Sequence, residues 1–151
     1  GKFDGAGLSA KQKSLRGFYA DLIRVLKEPA FTDGDFYGLN HANKANPAFG
    51  RIGDEAVSGH WLYAFLRHDK KSGQAFLCIA NFSPSDTLKD VRISIPEHIL
   101  GFLGKSSAES LTFGGRLGDD AALKSTGEEL AVVGVAIGDV PPFGVRYYVL
   151  K

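Results

Sequence analysis

Three pairs of carboxylates offer the first place to look for chemistry: Asp33/Asp35, Asp119/Asp120 and Glu128/Glu129. Two-carboxylate hydrolysis needs one acid held protonated, which an apolar pocket achieves by raising its pKa. Each pair here lies in polar, glycine-containing, turn-like sequence, so the expectation is solvated carboxylates. Asp33-Gly34-Asp35-Phe36-Tyr37-Gly38 begins like a calcium loop, with acids at loop positions 1 and 3 and glycine at 6. Tyr37 at position 5 and Lys44 at position 12 break the pattern, because the last ligand must be a bidentate carboxylate. The four histidines, His41, His60, His68 and His98, include no i, i+4 pair, and the only cysteine stands apart from them. Metal-ligand spacing is therefore absent, and no metal and no cofactor are expected.

Gly5-Ala6-Gly7-Leu8-Ser9-Ala10 matches G-x-G-x-x-A. A dinucleotide fingerprint follows directly on a strand, and the four residues before Gly5 cannot supply one. These glycines are read as a turn into a helix. Cys78 lies in an apolar run and reads as a small buried hydrophobe. Asn81-Phe82-Ser83 has the form of a glycosylation sequon but is better read as a strand-end turn. That leaves the aromatic side chains. Trp61, Tyr63 and Tyr147 are candidates for stacking on sugar rings. Tyr147 and Tyr148 must point to opposite faces of a strand, so one of them belongs in the core.

What must position these residues is one helix followed by short strands. Ser9 and Gln12 have capping-box spacing. Leu15, Phe18, Tyr19, Leu22, Ile23 and Leu26 recur with helical period, and Pro29 ends the run. The helix is expected over about Ser9–Glu28. Strands are expected at 35–39, 61–68, 75–81, 91–95, 110–113, 130–137 and 145–150. Residues 41–59 read as a long loop and 97–103 as one helical turn. The near-continuous apolar run 75–81 suits a central strand covered on both sides. The fold expected is mainly β, an antiparallel Greek-key-like β-sandwich preceded by one amphipathic α-helix.

The 151 residues are 44% hydrophobic and 23% charged, with a net charge of +1. That balance is ordinary for a globular domain. It offers no basic field for nucleic acid or anionic lipid and no run long enough for a membrane span. The chain contains no methionine and opens on Gly1, which reads as a piece of a longer protein.

The order of segments carries a resemblance. Trp61-Leu62-Tyr63-Ala64-Phe65-Leu66-Arg67 is followed by Phe76-Leu77-Cys78-Ile79-Ala80-Asn81-Phe82-Ser83-Pro84, and Pro141-Pro142-Phe143-Gly144 leads into a last strand. Together they resemble the C-terminal β-domain of α-amylase-type glycoside hydrolases of family 13. Gly1 to Ser9 with Gln12, Leu15, Arg16, Phe18-Tyr19 and Leu22-Ile23 looks like the end of that family's catalytic barrel. Pro29-Ala30-Phe31 with Gly34-Asp35-Phe36 resembles its link into the β-domain. The resemblance implies a terminal barrel helix over residues 1–30 and a C-terminal β-sandwich over 31–151. It also implies a parent enzyme, periplasmic or secreted, acting on α-glucans such as starch or maltodextrins. The family's catalytic carboxylates precede this region, so no catalytic residue is carried over. The implied partners are the parent's barrel and an α-glucan. The alternatives are a stand-alone carbohydrate-binding module and an interaction domain. A helix stripe made to face an absent barrel is expected to fold onto the sandwich or to pair in a homodimer.

Overall fold

The computed structural model describes residues 5–117 and 120–151. Asp119 of the second carboxylate pair and residues 1–4 of the resemblance lie outside them. Helix α1 spans Ala10–Val25 and opens with the expected box. The Ser9 Oγ accepts from the Gln12 N–H, and the Gln12 side chain accepts from the Ser9 N–H. The helix stops at Val25, and a separate short helix α2, Pro29–Thr32, follows. Pro29 explains the break, since it has no N–H to continue the ladder but suits a helix start.

The remaining elements are β1 (Asp35–Gly38), α3 (Asn40–Asn43), β2 (Leu62–Asp69), β3 (Gln74–Asn81), β4 (Leu88–Ile93) and α4 (Glu97–Phe102). Then come β5 (Ser110–Gly115), β6 (Leu123–Thr126), α5 (Gly127–Val132), β7 (Val135–Val140) and β8 (Val145–Leu150). Six strands form one antiparallel sheet in the order β1-β2-β3-β8-β5-β6, and β4 pairs with β7 in a second, smaller one. The architecture is thus mainly antiparallel β with a helix near the N-terminus, in two unequal sheets.

Further segments differ from the sequence expectation, among them β6, which no expected strand covers. Residues 130–137 do not form a strand throughout; α5 runs to Val132 and β7 begins at Val135. Thr126 and Glu129 make a second capping box that starts this helix, and Gly134, at φ +83°, reverses the chain into β7. The loop over 41–59 contains α3. Its Asn43 is fully buried, holding the Leu39 carbonyl and both backbone groups of Ser94.

Alternation along β2 divides the large sheet into two faces. Leu62, Ala64 and Leu66 point inward and join Leu77, Ile79, Tyr148 and Leu150 in the main core. β4, β7 and α4 close over that face with Val91, Ile93, Val135, Val140, Ile99 and Leu100. Burying such side chains contributes roughly 1.5–3 kcal/mol each. The opposite, outer face is covered over only part of its area. There Phe76 and Cys78 are buried with Val25 and Ala30, and Phe31, Phe65, Tyr147 and Val149 pack around them.

Candidate surface for docking and sugar contact

Register sets the rows of the outer face. Tyr63, Ala80 and Val145 lie side by side across β2, β3 and β8; so do Phe65, Cys78 and Tyr147; and so do Arg67, Phe76 and Val149. The last two rows carry α2. Arg67 Nε donates to the Ala30 carbonyl and Nη2 to the Phe31 carbonyl, both at 3.0 Å. The Gln74 side chain accepts from the Ala30 N–H and donates to Glu28. Glu28 also pairs with Arg116. The junction between α1 and the sheet is therefore fixed by hydrogen bonds at both ends of α2. Because Val25 is buried on this face, α1 leaves the molecule from the same side.

Beyond α2 the outer face is open. Tyr63 and Phe36 are exposed, and Phe36 and Phe65 rings meet at 5.2 Å. The helix stripe is open as well. Leu15, Phe18, Tyr19, Ile23 and Leu26 are 38–55% exposed, and Val25 is the buried residue of α1. The stripe does not fold onto the sheet within the chain. The reason is local: α1 reaches the sheet only at its last turn, where α2 is clamped.

The three aromatic side chains singled out in the sequence have different surroundings. Trp61 precedes β2, half-buried, with the His60 ring against it at 4.8 Å. Tyr63 is exposed beside Phe65, at 5.7 Å. Tyr147 is half-buried, its ring 5.9 Å from Phe31, and burial pushes its hydroxyl pKa up. Tyr148 is the core member of that pair, with its pKa raised to about 12 chiefly by burial. Phe82 and Phe143, 58% and 67% exposed, were not singled out. Their signal was the end-of-strand position, which ring type alone does not reveal.

Four of the paired carboxylates are committed to structure. Asp35 pairs with Lys70 and Asp120 with Arg146, and Glu129 caps α5. Asp33 accepts from the Thr32 hydroxyl. Hydrogen bonds from Thr126 and Ser125 hold Glu129 below the usual carboxylate range. Asn81 is buried, and its Nδ2 donates to the carbonyls of Asp86, Val140 and Pro141. The sequon nitrogen is thus part of the core. The Cys78 thiol is buried and pushed up by desolvation, so it is a poor nucleophile. Among the described residues no cluster of three potential metal ligands occurs, and no helix is long and apolar enough to cross a membrane.

Residues 56–151 match a family described as alpha amylase, C-terminal all-beta domain. The chain belongs to that family. This all-β domain is a non-catalytic part of amylase-type enzymes. Among individual curated proteins, none matches the chain.

Proposed function

We propose that this amylase-type β-domain stabilises the catalytic barrel of its parent enzyme, which acts on α-glucans such as starch or maltodextrins. The observation that supports the reading is the paired apolar surface on one side of the molecule. The open outer face around Phe36, Tyr63 and Phe65 and the stripe Leu15, Phe18, Tyr19, Ile23 both lack cover, while the opposite sheet face is closed. Apolar surface of this extent marks an interaction site. In this reading α1 packs with the barrel as its last helix, and α2 with residues 31–151 forms the support. The clamp at Glu28, Gln74 and Arg67 then transmits the position of one to the other.

The test is to mix the chain with the separately produced barrel of its parent. A one-to-one complex with a raised barrel melting temperature is expected, weakened at least tenfold by Phe18→Asp or Tyr63→Asp, about 1.4 kcal/mol. No complex, or a homodimer of the chain that excludes the barrel, overturns the reading.

A further inference from the structure

We propose that His68 is a pH-sensitive latch between the two faces of the large sheet, so that acidification loosens α2, the anchor of α1. Successive residues of a strand point to opposite faces, and Arg67 and His68 are successive residues of β2. Arg67 points outward and holds the Ala30 and Phe31 carbonyls of α2. His68 points inward, is buried, and meets the Phe102 ring of α4 edge-on at 5.3 Å. Its backbone is confined as well. A Cβ on Gly34, between α2 and β1, would lie 2.3 Å from the Ala30 oxygen and 2.9 Å from the His68 carbonyl carbon. The α2 turn and the His68 backbone thus pack with no space for one added carbon. A displacement of His68 is passed to α2 through Gly34 and through Arg67.

Protonation supplies the displacement. A charged imidazole carries two N–H donors, and the buried His68 Nδ1 has no hydrogen-bond partner among the described residues. The nearby acceptors are engaged. Asp69, on the same strand, accepts from the Lys71 and Ser72 N–H groups and from the Ser72 hydroxyl. Asp35, opposite His68 on β1, holds Lys70 at 2.9 Å. Lys70 also lies 5.2 Å from the centre of the Phe102 ring, so one cation already occupies the ring that His68 faces. A second buried charge is costly unless it is paired or reaches water. Either outcome moves the imidazole off Phe102 and the end of β2 with it.

The other elements around His68 do not relieve that charge. β3 places Ala75 opposite it. α4 carries Glu97, exposed in its first turn, and His98, whose Nε2 bonds the Tyr37 hydroxyl of β1 at 3.3 Å. The His98 bond survives titration, because the hydroxyl donates to a neutral imidazole and accepts from a charged one. His68 has no such exchange available, which makes it the switch and His98 a fixed contact. Burial and Lys70 outweigh Asp69 and Asp35 and lower the His68 pKa, in line with a neutral latched state. The latch is a property of this chain; its effect on a parent enzyme rests on the reading of α1 as a barrel helix.

The experiment is an NMR titration of the intact chain from about pH 7.5 to 5, spanning the ordinary histidine range. The His68 ring signals should titrate with a midpoint below about 6.5, and the amide signals of Ala30, Phe31 and Phe102 should move with that same midpoint. His68→Phe should abolish the movement at Ala30 and Phe31, and His98→Gln should leave it. Amide signals of α2 that stay fixed while His68 titrates, or that still move in His68→Phe, overturn the latch. If His68→Phe does not fold, the match of midpoints in the unmodified chain decides alone. Binding to the separately produced barrel at both ends of the range is the second arm. Affinity should fall about fivefold or more at the acid end, and equal affinity overturns the regulatory role. Absence of a complex at either pH overturns the barrel reading, and the NMR arm still decides the latch.

Discussion

His68 shows how one side chain can set a pH response without doing chemistry. It points inward from β2, is buried, and its Nδ1 lacks a hydrogen-bond partner in the structure. The Phe102 ring of α4 meets it edge-on at 5.3 Å, and Lys70 lies over that same ring. Burial first, and Lys70 second, lower its pKa, against opposing pulls from Asp69 and Asp35. The sign follows from linkage. Below the ordinary histidine value near 6.5 the unfolded chain binds a proton that the folded chain resists. Stability is therefore full above that value and is lost as pH falls from it through the lowered folded pKa. Urea unfolding between about pH 5 and 7 should show this slope, and His68→Leu should flatten it. An unchanged slope in the variant would assign the response elsewhere.

At the scale of elements, Gly134 and Gly138 make a controlled pair. Both have positive φ, +83° and +79°. A Cβ on Gly134 would lie 2.7 Å from the Ile93 carbonyl carbon and 2.8 Å from the Ser94 nitrogen, whereas one on Gly138 meets nothing. Gly138→Ala should cost only the left-handed strain, about 1–2 kcal/mol. Gly134→Ala adds a clash with β4 backbone and should cost roughly 2–3 kcal/mol, measured by chemical denaturation. The same glycine explains part of what the sequence left hidden. Val132, Val133, Val135 and Ile137 read as one strand by composition, yet the Thr126–Glu129 box and the turn at Gly134 divide them into helix and strand. The Ser9–Gln12 box was legible because a long apolar period follows it, while the Thr126 box starts a helix of six residues. Strands β2, β3 and β8 were legible from apolar runs and alternation. Strand β6 was not, since Leu123–Thr126 is short, mixed and at a sheet edge. For the surface, Tyr63 on β2 and Trp61 just before it were legible as aromatic residues of one apolar run. Phe82 and Phe143 became visible only as exposed rings of the folded chain, a long-range property that local pattern does not encode.

For the whole molecule, the cover over Cys78 locates where helix and sheet become one unit. Val25, Ala30 and the flanking Phe31 seal Phe76 and Cys78. A chain beginning at Val25 should keep Cys78 unreactive toward a thiol reagent in native buffer. One beginning at Thr32 should react readily, with a lowered melting temperature. Equal protection in both would mean that α2 contributes no cover.

Strand β8 is the latest of the strands in the chain, yet it sits between β3 and β5. Until it is made, the large sheet exists as two unconnected pieces, β1-β2-β3 and β5-β6. On the ribosome, then, no intermediate length of this chain has a closed sheet to settle into, and the fold waits on contacts distant in sequence, which form slowly. A transcript cut short before Val145 would deliver a product with two unpaired strand edges, the kind of surface that cellular proteolysis removes. The position of one strand makes completeness of synthesis a condition for survival of the domain.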